Sequence, residues 1–189
     1  VLFVINILIF INLDFFMGTV KWGILGAAKI AREQVIPAMK KSKNTELYAI
    51  ASREISKAED FCHKFSITKA YDDYNKLISD PNIDAVYIPL PNHLHVPFSI
   101  NALKAGKHVL CEKPISITSD EIFELIEVQK ETKKIVSEAF MVRFHPQWTE
   151  TKKLIQDGEI GKLNAIQGLF NYFNTDPNNI RNDVRIGGG

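Results

Sequence analysis

A chain of 189 residues, 46% hydrophobic and 24% charged, has the size and apolar content of a folded domain with a real core, which excludes a disordered or fibrous protein. Its 23 lysines and arginines against 22 aspartates and glutamates leave no basic stripe or acidic tail, so nucleic acid is not an expected partner. The two cysteines, Cys62 and Cys111, are far apart and lack metal-ligand spacing, so no metal site is expected and reduced thiols in a cytoplasmic protein are the simplest reading.

Residues 1–16 (VLFVINILIFINLDFF) are almost wholly apolar but carry neither a basic n-region nor a small-residue cleavage site. The run is short for a membrane span and is interrupted by Asn6, Asn12 and Asp14. It is read as upstream or fragment-derived sequence outside the fold, with a membrane anchor as the rival reading, and no membrane association is expected. Met17 stands directly before a stretch that looks complete from that point.

From Thr19 onward strand and helix alternate. Val20–Leu25 is an apolar strand, and 28–41 reads as a helix, with Pro37 either kinking it or marking its first turn. A strand at 46–51 precedes a helix over Ile55–Phe65. Ala85–Ile88 is a buried strand ending at Pro89 and Pro91, and a helix over 97–105 stops at Gly106. His108–Cys111 is the next strand. Thr118 and Glu121 have capping-box spacing and open a helix running to about Lys133, followed by a strand at 135–139. This order predicts an α/β fold, a Rossmann-type parallel sheet with helices on both faces, over residues 17–142. After it, a helix over 146–157 closed by Gly158 and a half-alternating strand over 162–172 read as the start of a second, α+β open-sheet domain over 143–189.

Strand one leads into Gly23-Ile24-Leu25-Gly26-Ala27-Ala28-Lys29-Ile30-Ala31. Against the pattern G-x-G-x-x-G/A, Gly26, Ala28 and Ala31 take the three small positions. They would supply a tight turn, a close approach to a pyrophosphate, and contact between helix and strand. Ala28 adds a methyl where the pyrophosphate should pass, which degrades the fingerprint, and small residues after a buried strand often serve packing alone. The helix start at Lys29 and Ile30 offers free N–H groups to an anion. At the tip of strand two stand Ser52 and Arg53, with Lys57 a helical turn further on. A hydroxyl, a guanidinium and an ammonium suit a 2′-phosphate better than a ribose diol, so NADP is the expected cofactor and NAD, held through Glu54, the alternative. Strand 108–111 ends in Glu112-Lys113-Pro114. A lysine at a strand mouth can set an N–H donor against a bound cofactor and the oxygen of its substrate, although a solvated surface charge is the commoner case.

Five segments occur together in order: Gly-Ile-Leu-Gly-Ala-Ala-Lys-Ile-Ala at 23–31, Ala-Ser-Arg at 51–53, Tyr-Ile-Pro-Leu-Pro-Asn-His-Leu-His at 87–95, Ala-Gly-Lys-His-Val-Leu-Cys-Glu-Lys-Pro at 105–114, and Glu-Ala-Phe-Met-Val-Arg-Phe-His-Pro at 138–146. By them the chain resembles the glucose–fructose oxidoreductase/inositol dehydrogenase family over essentially all of 17–189, and within it the NADP-dependent branch acting on sugars and dihydrodiols. The resemblance implies a dehydrogenase or reductase moving a hydride between the nicotinamide and a sugar, polyol or diol. It implies that Gly26, Ala27, Ala28, Lys29 and Ile30 hold the pyrophosphate, and that Pro89, Leu90, Asn92 and His95 wall the ribose and nicotinamide. Glu112 would hold the nicotinamide ribose, and Lys113 would be the catalytic donor to the substrate oxygen. Pro114 would orient Lys113. The sequence leaves the isomer of that X–Pro bond open, since only about one in twenty is cis. Glu138 and Arg143 would lie near the carboxamide.

For His93 and His145 the simpler reading is a helix cap, for Cys111 a buried small residue, for Cys62 a helix-face residue, and for Trp22 and Trp148 packing. In such proteins the glycine run leads into a helix with an aspartate and, a few residues on, a tyrosine or histidine that handle the substrate's proton. Here Gly187, Gly188 and Gly189 end the chain, so the expectation is cofactor binding with negligible turnover by these residues alone, and a homo-oligomer for the whole protein. The competing function is a non-catalytic dinucleotide-binding sensor of the same fold.

Overall fold

The computed structural model describes residues 18–176 and 179–187, so the apolar run 1–16 and the last two glycines lie outside the described residues. The chain alternates β1 (Val20–Leu25), α1 (a π turn over Ala31–Val35 running into Ile36–Met39), β2 (Thr45–Ala51), α2 (Ile55–Phe65), β3 (Lys69–Tyr71), α3 (Tyr74–Ile78), β4 (Ala85–Ile88), α4 (His95–Lys104), β5 (His108–Cys111), α5 (Ser119–Thr132) and β6 (Val136–Glu138). A 3-10 turn over Met141–Phe144 and helix α6 (Pro146–Gln156) follow. The six strands form one sheet in the order β3-β2-β1-β4-β5-β6, and every neighbouring pair is parallel. That is the doubly wound Rossmann arrangement, in which the strand order reverses between β1 and β4.

The central strands are apolar on both faces because helices cover both. Along β4, Val86 and Ile88 face a core with Leu77 of α3, Ile100 and Leu103 of α4, and Leu125 of α5. Ala85 and Tyr87 face the other core, with Val35, Ile36 and Met39 of α1 and Phe61 of α2. Gly23 lets α3 come close to β1, since a Cβ there would stand 2.5 Å from Leu77 Cδ2. Helix α5 begins with the expected capping box: the Thr118 side chain accepts from the Glu121 N–H, and the Glu121 carboxylate accepts from the Thr118 N–H.

Some expectations shift. Pro37 marks a first turn as expected, but that of the α-helical part Ile36–Met39 and not of the whole helix. The Ile36 N–H bonds to the Ala31 carbonyl, five residues back, so the turn before the proline is widened, and Pro37, which has no N–H to give, falls in the first turn of the α-helical part. Helix α4 begins at His95 rather than 97, with Pro97 inside its first turn, where a missing N–H costs nothing. Strand β3 and helix α3 carry too few residues for a periodic signal, and the sequence does not reveal them. The strand expected over 162–172 is not formed: it pairs with no other strand among the described residues, and an unpaired strand leaves its backbone groups to water.

Candidate active and nucleotide-binding site

A doubly wound sheet binds its ligand outside the carboxyl ends of its strands, at the point where the order reverses. The ends of β1, β2, β4, β5 and β6 bring almost every residue singled out from the sequence to that edge. Gly26 follows β1 with φ +113°, a conformation side chains disfavour, and its N–H donates to the Ala51 carbonyl of β2 at 2.9 Å. A Cβ on Gly26 would stand 3.1 Å from Leu90 Cδ2, so the phosphate turn abuts the loop after β4. Ala27 and Ala28 are half-buried against the core, while Lys29 and Ile30 are exposed at the start of the helix. Ala31, wholly buried, fills the third small position.

At the end of β2 the Ser52 side chain is turned back on its own chain. Its Oγ accepts from the Glu54 N–H at 3.3 Å, and its N–H donates to the Tyr71 carbonyl at 3.0 Å. Lys57 Nζ lies 2.7 Å from Glu54 Oε1. Glu54 and Lys57 therefore neutralise each other, and Arg53 is left exposed with no carboxylate partner among the described residues.

The loop after β5 is the most heavily anchored part of the edge. Tyr87, wholly buried in β4, donates its hydroxyl to Glu112 Oε1 at 2.7 Å. The Lys113 N–H donates to Glu112 Oε2 at 3.3 Å, the Lys113–Pro114 bond is cis, and the Lys113 side chain is exposed. His95 is 1% exposed, with Nδ1 2.7 Å from the Pro114 carbonyl and Nε2 2.7 Å from the Leu90 carbonyl. Glu138 Oε1 accepts from the Ile115 N–H at 3.0 Å.

Both ring nitrogens of His95 face backbone carbonyls of the surrounding loops, so its part in the expected wall is as a buried ring within the edge. Glu138 commits one carboxylate oxygen to the lysine loop. Asn92 Nδ2 donates to the Gly187 carbonyl at 2.8 Å, which ties the 3-10 turn Asn92–Leu94 to the distant segment 180–187. Pro89 and Leu90 are buried beside these groups, whereas Arg143 is exposed on the turn Met141–Phe144.

His145 caps α6 through Nδ1, which accepts from the Gln147 N–H at 3.1 Å, and Trp22 is buried while Trp148 is half-exposed. Burial pushes the Cys111 thiol up to about 12, so it is an inert core group. Tyr87, which holds Glu112, is the residue of this edge that the sequence reading passes over. Its signal was present, since a phenol in a fully buried strand must find an acceptor. Among the described residues no group of three or more His, Cys, Asp or Glu could hold a metal ion, and no helix is long and apolar enough to cross a membrane.

The fold and this edge define a nucleotide-binding Rossmann domain. Residues 20–140 match the oxidoreductase family with an NAD-binding Rossmann fold (Gfo/Idh/MocA), and the chain belongs to that family. It is 48% identical over 173 residues to an uncharacterised oxidoreductase of Rhizobium meliloti, covering 92% of this chain and 52% of that protein. It is 38% identical over 169 residues to an NADP(+) D-xylose 1-dehydrogenase of Haloferax volcanii, covering 89% and 51%. Among solved structures, a 3-ketoreductase from Actinomadura kijaniata in complex with NADP and TDP-benzene is similar with a TM-score of 0.71 and 35% identity, over 75% of this chain and 43% of that one. The chain thus spans about half the length of the curated relatives it matches.

Proposed function

We propose that the whole protein is an NADP-linked oxidoreductase that moves a hydride between the nicotinamide and the hydroxyl- or carbonyl-bearing carbon of a sugar, polyol or diol. The observation that carries this reading is Lys113, exposed on a loop that β4, α4 and β6 all anchor, beside the edge where the strand order reverses. The name of one relative, a D-xylose 1-dehydrogenase, supports the sugar class, and that of the other, a 3-ketoreductase in complex with NADP, supports carbonyl chemistry with this cofactor. The residues fit the cofactor: Gly26 leaves backbone open where a Cβ would meet Leu90, and the α1 start supplies N–H groups for the pyrophosphate. Arg53 would take the 2′-phosphate, and Glu112, steadied by Tyr87, would accept from the ribose. When bound, the nicotinamide supplies or takes the hydride. Lys113 would donate a hydrogen bond to the reacting oxygen and stabilise the charge that develops on it. Residues 143–189 would open the substrate domain, and the whole protein would form a homo-oligomer through it.

Fluorescence titration of this chain with NADPH and NADH tests the cofactor. NADPH should bind about tenfold more tightly, and Arg53→Ala should remove that preference while leaving NADH within about twofold, the loss expected for one charge-assisted contact. A preference for NADH would refute the assignment. In the whole protein, Lys113→Ala should keep NADPH affinity within about tenfold and lose most of kcat. An unchanged kcat would remove Lys113 from the chemistry.

A further inference from the structure

The peptide unit joining Pro114 to Ile115 is held on both of its polar edges. Its carbonyl lies 2.7 Å from His95 Nδ1, and its N–H donates to Glu138 Oε1 at 3.0 Å. In a trans peptide these groups point in opposite directions, so the two side chains grip the plane from opposite sides. His95 is itself confined, buried at the head of α4 with Nε2 packed against the Leu90 carbonyl. The tautomer with its N–H on Nδ1 donates to the Pro114 carbonyl. Glu138 ends β6, paired in register with Cys111, two residues before Lys113.

We propose that His95 and Glu138 act together as positioning residues for Lys113, holding the Pro114–Ile115 peptide from its two edges so that the lysine keeps one place at the mouth of β5. The proposal rests on the dehydrogenase reading above. The proline ring fixes φ at Pro114, and the grip on the following plane fixes ψ, so no soft backbone dihedral remains there. On the other side, Glu112 is held by Tyr87 and accepts from the Lys113 N–H. Neither His95 nor Glu138 needs to touch the substrate for this.

The test uses Glu138→Ala, Glu138→Gln, His95→Gln and the double variant Glu138→Ala/His95→Gln in the whole protein. A misplaced donor should lower kcat about tenfold or more in Glu138→Ala and in His95→Gln, with NADPH Kd within about threefold of wild type. Glu138→Gln keeps an oxygen acceptor for the Ile115 N–H and should stay within about threefold of the wild-type kcat. Because both groups hold one plane, the double variant should lose less than the product of the single losses. Full kcat in Glu138→Ala, an NADPH Kd that rises in step with the loss of kcat, or strictly multiplicative losses would each overturn the proposal. If His95→Gln does not fold, the contrast between Glu138→Ala and Glu138→Gln decides alone.

Hydrogen exchange at the Ile115 amide is a readout independent of turnover. It should be slow in the wild type and in Glu138→Gln, and about tenfold or more faster in Glu138→Ala. Exchange that ignores Glu138→Ala refutes the grip. A wild-type protein inert towards every sugar and polyol, with Ile115 exchange still answering to Glu138→Ala, refutes the dehydrogenase reading and leaves the grip standing.

Discussion

Tyr87 links the interior of the sheet to its functional edge. Burial pushes its phenol well above the usual range and the Glu112 carboxylate adds to this, so the hydroxyl keeps its hydrogen and remains a donor. Tyr87→Phe removes one oxygen and leaves Oε1 of the half-buried Glu112 carboxylate without the phenol donor, while Oε2 keeps the Lys113 N–H. Denaturant unfolding should show a loss of about 1.5–3 kcal/mol, the range for a hydrogen bond to a charged group. NADPH affinity should fall about three- to tenfold, read by fluorescence titration; unchanged affinity would separate Glu112 from the ribose. Gly26→Ala acts on the backbone instead. It forces a side chain to φ +113° and against Leu90, so it should cost about 1–3 kcal/mol of stability as well as nucleotide affinity. Gly26 was legible in the sequence because a tight turn is a local demand met within a few residues. The contacts of Tyr87 with Glu112 and of His95 with Pro114 join positions 25 and 19 residues apart, and nothing in the spacing announces which partner a buried phenol or imidazole will take.

At the scale of elements, the pieces invisible in the sequence are held by two carboxylates, Asp73 and Asp80. Strand β3 has three residues and α3 has five, too short for a pattern; Asp73 caps α3, and β3 is fastened by Asp80, just after that helix. Its Oδ2 accepts from the Tyr71 hydroxyl at 2.5 Å and Lys69 Nζ at 3.1 Å, and its Oδ1 accepts from the Asn82 backbone and side-chain N–H groups at 2.9 Å each. Lys107, buried ahead of β5, adds hydrogen bonds to the Asp80 and Ile83 carbonyls at 2.7 and 2.8 Å. Burial alone would raise the Asp80 pKa, but these donors outweigh it and hold the carboxyl far below its ordinary 3.8. A carboxyl depressed in the folded state contributes stability that is complete above its unfolded pKa and is lost as pH falls towards the folded one. Asp80→Asn should therefore lower unfolding free energy by about 2–4 kcal/mol at neutral pH, with the gap from wild type narrowing below about pH 4. Equal gaps at neutral and acid pH would show that the charge is not what fastens β3. By contrast the start of α5 was readable, because its Thr118–Glu121 box is a local signal, whereas its end rests on a left-handed Lys133 that the residue type does not announce.

At the scale of the molecule, the alternation of strand and helix made a doubly wound sheet legible. It did not choose the strand order, since that depends on which edge each crossover returns to. The observed order gathers the ends of β1, β2, β4, β5 and β6 within residues 20–140, and residues 162–176 pair with no strand of that sheet. In that later stretch Leu169, Phe170 and Phe173 are 88%, 89% and 90% exposed, which explains why an alternating pattern misled: apolar side chains alternate usefully only when a neighbouring strand and a covering layer are present. The two regions should therefore respond separately. Leu169→Ser/Phe170→Ser should reduce binding of an apolar dye such as anilinonaphthalene sulfonate and leave NADPH affinity within about twofold, because neither side chain shares a contact with the β1–β4 edge. Gly187 is the counter-case. Its φ is +83°, and a Cβ there would stand 2.8 Å from Ile117 and 3.1 Å from Asn92 Cβ, so Gly187→Val should lever segment 180–187 off the loop after β4. Hydrogen exchange over 180–187 should rise in that variant, and NADPH affinity should fall if Asn92 helps to wall the nicotinamide. Loss of NADPH affinity in Leu169→Ser/Phe170→Ser, or none in Gly187→Val despite raised exchange, would show that the nucleotide edge is bounded differently from the set of strand ends and loops described.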